Sequence, residues 1–97
     1  MADPDGLVRH VPDHDRWEYV LDGTAVAVLE YRTDGDRVVM HHTYTDPAHR
    51  GQGIAARVVQ AALDDVRRRG GSVVPACWFV AEFVETHPAY GDLVADR

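Results

Sequence analysis

Hydrophobic and polar positions along this chain change their period repeatedly, and each change marks a new element. Residues 16–21 alternate, with Trp17, Tyr19 and Leu21 on one side, which predicts a half-buried strand because successive strand side chains point to opposite faces. Asp22-Gly23 follows, a pair suited to a type I′ hairpin turn, whose central residues both need positive φ. The partner strand is residues 24–32, rich in valine, and a second glycine-bearing turn at 33–36 leads to a third strand at 37–45 containing Val38, Val39 and Met40. Consecutive strands on short turns make an antiparallel meander.

The period then becomes helical. Ile54, Val58, Val59, Ala62, Leu63 and Val66 recur at three- and four-residue steps, the signature of one apolar helix face. Arg67, Arg68 and Arg69 suit the negative C-terminal end of that helix, and Gly70-Gly71 stops it. So placed, the arginine triplet reads as a solvated helix end rather than a binding patch. Residues 72–76 are a short β-type run, expected to return parallel to the third strand through a right-handed crossover. From Cys77 the pattern is helical to about Thr86, with Trp78, Phe79, Phe83 and Val84 forming a stripe, and HPAYGDLV predicts a turn and a short closing helix. Trp17, Tyr19, Trp78 and Phe79 are expected in the core. Ahead of the meander, residues 7–15 read as an edge strand interrupted by Pro12, and residues 1–6 as a disordered lead. The expected fold class is therefore α/β (α+β), one domain over residues 1–97.

Composition narrows the function. A chain of 97 residues buries roughly two-thirds of its unfolded surface, enough for one modest core. The 45% hydrophobic and 27% charged shares are ordinary for a globular protein. No run approaches the ~18 apolar residues of a membrane span, and MADPDG lacks the basic and apolar stretches of a signal peptide, so the expected location is cytoplasmic with no membrane partner. A formal charge of -6 argues against nucleic acid, which is bound by basic faces. The lone Cys77 cannot form an internal disulfide, in keeping with a reducing compartment.

Candidate chemistry gathers in HTYTDPAHRGQGIA, residues 42–55. Arg50, Gly51, Gln52, Gly53, Ile54 and Ala55 join the end of a strand to the start of a helix. Glycines there leave backbone N–H groups unobstructed at the positive end of the helix, which makes an anion cradle, most often for phosphate. The alternative is a tight turn whose glycines serve backbone geometry alone. The Lys-Ser/Thr pair of a nucleoside triphosphatase loop is absent, so Mg²⁺-nucleotide hydrolysis is disfavoured. Cys77 stands where a strand gives way to a helix, a position that lowers a thiol pKa, although a free cysteine is more often a small buried hydrophobe. His41 and His42 are adjacent on a strand, so they are expected on opposite faces and cannot share a metal. His42 is the candidate general base, because imidazole titrates near neutral pH. Its alternative is a hydrogen-bonded structural histidine. Tyr90 is expected to anchor the C-terminus.

RGQGIA fits the R/Q-x-x-G-x-G/A signature of the GNAT acyltransferase superfamily. With DG, LEYR and VVPACWFVAEFVETHPAYGDLV, it makes residues 16–94 resemble a small single-domain subfamily of N-acetyltransferase-like proteins. The resemblance implies binding of acetyl-CoA, with coenzyme A pyrophosphate on residues 50–55 and the pantetheine arm along the backbone of Thr43, Tyr44 and Thr45. It implies transfer of the acetyl group to an amine, a protein lysine or N-terminus being candidate acceptors, and it raises Cys77 to a candidate nucleophile, acid or pantetheine contact. One departure stands out. Full domains of that superfamily carry helices between their first strands, and Asp22-Gly23 leaves no room for them, so the acceptor side is expected to be open or completed by a partner. The rival readings are a CoA-binding or sensing module without turnover and a purely structural interaction domain. The sequence names neither the acceptor nor the oligomeric state.

Overall fold

The computed structural model describes residues 6–95. Strand β1 (Gly6–Val11) precedes β2 (Arg16–Leu21), β3 (Thr24–Asp34) and β4 (Arg37–Thr45), and then come helix α1 (Ile54–Arg69), β5 (Ser72–Pro75) and helix α2 (Trp78–Thr86). Short 3₁₀ turns occupy Pro12–His14, Pro47–His49 and Pro88–Leu93. The strands form one sheet in the order β1-β2-β3-β4-β5, antiparallel except for the parallel β4 and β5. The meander, the helix crossover and the parallel return strand thus follow the periodicity. The stretch expected as a short closing helix is the 3₁₀ segment, and β1 starts at Gly6, inside the expected disordered lead, whose other residues lie outside those described.

The Asp22-Gly23 turn has φ of +52° and +79°, as a type I′ hairpin requires. On α1 all the periodic positions, Ile54, Val58, Val59, Ala62, Leu63 and Val66, are buried. They pack on the sheet face formed by Trp17, Tyr19, Ala27, Leu29, Tyr31, Met40 and Val73, so one helix carries the amphipathic pairing that stabilises the domain. Trp78, expected in the core, is instead 75% exposed. It stands at the first position of α2, and Val80, Phe83 and Val84 supply that helix's buried stripe.

The C-terminal segment is latched to α1 and β5. Tyr90 donates its hydroxyl to Asp64 at 2.8 Å, Arg67 makes a two-pronged contact with Asp92 at 2.9 and 3.0 Å, and Val94 bridges Val73. Tyr90 is therefore an anchor, as expected from its place in the sequence.

The alternation of β4 breaks at the two histidines. Glu30 faces His42 and Tyr31 faces Met40, so His41 is the extra residue of a β-bulge. Strict alternation does not hold across a bulge, and the expectation that the two imidazoles point to opposite faces loses its premise. Both are exposed.

Candidate active site

β4 and β5 run side by side only as far as Met40 and Pro75. There the Met40 carbonyl accepts the N–H groups of both Ala76 and Cys77, each at 3.0 Å, and the second chain turns away into α2. Residues 41–45 keep their pairing with β3 through His42, Thr43, Tyr44 and Thr45, but no strand among the described residues takes their other edge. The sheet therefore opens into a wedge, with a bare strand edge on one side and the start of α2 on the other.

Cys77 lies in this wedge. It is the residue before the first turn of α2, half-buried, with Sγ 3.6 Å from the Thr43 hydroxyl. Burial pushes the thiol up, but the Thr43 hydroxyl and the backbone N–H groups of Val80, Phe79 and Thr43 outweigh it, and the net shift is downward. Hydrogen bonds to the charged form and the helix N-terminus act in the same direction. Replacing Thr43 with valine removes the hydroxyl and keeps the shape. Iodoacetamide is then expected to alkylate Cys77 severalfold more slowly at pH 7, with the pH profile of the rate moved upward. An unchanged profile in T43V would show that the hydroxyl does not support the thiolate.

His42 is placed differently. It neighbours Thr43 on the strand, and Thr43 turns toward Cys77, so alternation sends the imidazole to the other face of the sheet. The two candidate catalytic residues flank β4 rather than forming a pair.

At the end of β4 comes the loop expected to form an anion cradle. Asp46 accepts the N–H of Ala48 at 2.9 Å and holds the 3₁₀ turn, and the Arg50 side chain reaches back to the Thr45 carbonyl at 3.1 Å. Gly51 and Gly53 adopt φ of +81° and +76°, a region closed to most residues with a Cβ. The first backbone bond of α1 runs from Arg57 to the Gly53 carbonyl at 3.2 Å. Among the described residues no acceptor takes the backbone N–H groups of residues 51–56. A Cβ placed on either glycine would meet nothing within 4 Å. The loop thus surrounds open space with unpaired donors. A cleft of about 310 Å³ lies against it, lined by Thr45, Arg50, Gly51, Gly53, Ile54 and Phe79.

The sequence-derived residues therefore split by place. Arg50, Gly51, Gly53, Ile54 and Ala55 line the cleft, Thr45 joins them to the bare edge of β4, and Thr43 and Cys77 meet in the wedge. Tyr44 is half-exposed under the Arg50 guanidinium, 5.9 Å from the ring centre, while Gln52 is exposed on the loop. Sequence reading missed Phe79, which walls the cleft, and the N–H groups of Phe79 and Val80 at the thiol. Phe79 carries no local signal because its apolar character fits the helical stripe equally well.

Residues 16–93 match the profile of the GCN5-related N-acetyl-transferase family. The chain belongs to this family. Among its relatives is protein NATD1, 40% identical in Bos taurus over 63 residues, a match that covers 64% of this chain and 56% of that protein. The Xenopus tropicalis NATD1 is 32% identical over 90 residues, 89% of this chain and 83% of that one. This chain thus spans little more than half of the bovine relative. A GCN5-like protein from Staphylococcus aureus superposes with a TM-score of 0.73 at 18% identity over 100% of this chain and 93% of its own. A ribosomal-protein-alanine N-acetyltransferase from Brucella melitensis does so at 0.51 and 19%, over 84% and 62%. At such identities the superpositions speak for the fold. Membership of this family links the chain to acetyl transfer only in general terms, and Thr45, at the end of β4, also lines the cleft at the glycine loop.

Proposed function

We propose that this protein binds acetyl-CoA in the cleft between the glycine loop and the opened β4 edge, and that it transfers the acetyl group to an amine. The observation that carries the reading is the uninterrupted run of unpaired N–H groups at residues 51–56, leading into a strand edge without a partner. A pyrophosphate fits such donors at a helix N-terminus, and an extended amide-bearing arm fits a strand edge. Acetyl-CoA supplies an acyl carbon activated as a thioester.

The chain's own residues divide the remaining work. Arg50 adds positive charge beside the cradle, and the bare β4 edge orients the extended arm toward Cys77. His42, on the other face of β4, is available to take a proton from an amine approaching from that side. Cys77, its thiol biased toward the thiolate, serves either as an acetyl carrier or as a contact to the departing sulfur. Because a two-residue turn joins β2 to β3, no helix intervenes between these strands. That openness favours an amine carried on a protein, a lysine or an N-terminus, over a small molecule enclosed in a pocket.

The test joins thermal melts in CoA and acetyl-CoA with intact mass spectrometry after incubation with acetyl-CoA. A rise in melting temperature follows from ligand linkage to the folded state. A ~42 Da adduct absent from Cys77→Ser identifies the acetyl carrier, the mass being that of acetyl replacing hydrogen on a nucleophile. Stabilisation without an adduct assigns direct transfer or a sensing role, which acceptor peptides then separate. Absence of both signals would overturn the acyl-CoA reading.

A further inference from the structure

A second built cavity lies at the other end of β3 and β4. It has a volume of about 180 Å³, and its lining includes His10, Trp17, Tyr31, Thr33, Val38 and Val66 together with the charged Asp36 and Arg69. Val38 and Thr45 mark the two ends of β4, so this cavity sits roughly 20 Å from the glycine loop at the usual strand rise. Its walls come from four strands and the last turn of α1, and none of its lining residues takes part in the proposed transfer.

The cavity is organised by a chain of hydrogen bonds. His10 stacks on Trp17 with ring centres 4.3 Å apart. Its Nδ1 faces Arg69 at 2.9 Å and its Nε2 faces the Tyr31 hydroxyl at 2.7 Å. A guanidinium only donates, so His10 Nδ1 must accept, which puts the proton of the neutral ring on Nε2. The imidazole then donates to the Tyr31 oxygen, and the Tyr31 hydroxyl keeps its own proton for another acceptor. Among the described residues it has none. Tyr31 is only 6% exposed and lines the cavity, so the free hydroxyl proton is offered to what the cavity holds. The charge states agree. Burial and Arg69 lower the His10 pKa against the upward pull of Asp65, and burial and Asp15 raise that of Tyr31, keeping the ring neutral and the phenol protonated.

We infer that this cavity is a binding site for a small, uncharged molecule with an apolar body and one carbonyl acceptor, which takes the Tyr31 hydroxyl proton in a hydrogen bond. The size is right for one ring, since cavities of about 150 Å³ lined by apolar side chains admit benzene. Charge favours a neutral ligand over a carboxylate. Arg69 is already paired with Asp65 at 3.2 Å, Asp65 also accepts from Trp17 and Arg68, and Asp36 adds a negative group to the lining.

The experiment titrates acetophenone, ethylbenzene and benzoate into the protein and follows the Trp17 indole N–H and the Val38 amide by NMR. Acetophenone is expected to give saturable shifts at both, with affinity at least fivefold lower in Tyr31→Phe, which keeps the ring and loses the donor. Ethylbenzene is expected to bind more weakly and to be indifferent to Y31F. Val38→Phe, which fills the cavity, is expected to remove the shifts. Absence of saturable shifts in the wild type, equal acetophenone affinity in Y31F, or tighter binding of benzoate than of acetophenone would overturn the assignment. Melting curves show whether each variant is folded at the titration temperature. If Y31F proves unfolded there, the wild-type ranking of the probes and the V38F response decide alone. The outcome is independent of acyl-CoA binding at the other end of the sheet.

Discussion

Gly53→Val is expected to lose CoA binding while the fold persists. At φ of +76° a residue with a Cβ pays about 1–2 kcal/mol to stay in the left-handed region, and β-branching makes valine worse placed still. The substitution creates no clash, because the space around the glycine is open. The variant therefore relieves its strain by rotating the loop to negative φ, which turns the N–H groups at the start of α1 away from their common focus. An affinity loss of more than tenfold follows if that rotation removes more than about 1.4 kcal/mol of binding. The melting temperature without ligand should fall by only a few degrees, since a change near 1 kcal/mol moves a domain of this size by roughly 4–8 °C. Calorimetric titration of CoA into both proteins measures the first effect and a melt without ligand the second. Wild-type binding with unchanged affinity in G53V would mean that the loop does not hold the cofactor.

The glycine loop was legible because its signals are local. Two glycines between a β-type run and an amphipathic period mark a strand-to-helix junction, and their dihedral angles are the ones such a junction needs. The same locality made α1 and the Asp22-Gly23 hairpin readable. Periodicity fixes which face of a helix is buried before any partner is known, and only a short list of residues tolerates positive φ at successive positions.

What escaped the sequence depends on contacts between distant residues or on irregularities without a marker. The bulge at His41 has neither glycine nor proline to announce it, yet it ends the simple alternation of β4 next to the point where β4 and β5 part. The same problem hid the Thr43–Cys77 contact, which joins residues 34 apart. Glu18 shows it in another form. Alternation sets it on the face opposite Trp17 and Tyr19, yet it is 3% exposed and held by Arg9 at 3.1 Å and Arg16 at 2.8 Å. Two cationic side chains cover a carboxylate that alternation alone would leave in water, a solution that burial of a charge demands. Trp78 errs the other way, because a helical stripe assigns a large aromatic to the core, whereas the first residue of α2 faces solvent while Val80 in the same turn is buried. His42 was placed by residue type, and alternation with Thr43 sets it on the face of β4 opposite the Thr43–Cys77 contact.

Leu63→Ala is expected to destabilise the protein severely and to spare the cradle. Leu63 is fully buried at the centre of the α1–sheet interface, and removing such a side chain costs about 3–5 kcal/mol through lost transfer energy and the cavity left behind. Native domains have only about 5–15 kcal/mol in hand, so the melting temperature should drop by more than roughly 10 °C. Leu63 stands about 14 Å along the helix from its start at 1.5 Å per residue, and it is not among the residues that line the cleft. CoA affinity, measured well below the melting range, should stay within about twofold of wild type, less than 0.5 kcal/mol. The two variants thus make opposite predictions: G53V changes binding far more than stability, and L63A changes stability far more than binding. If binding and stability instead fell together in both, the loop would not be a preformed cradle resting on an independent core, and its geometry would have to be maintained by the same packing that holds α1 to the sheet.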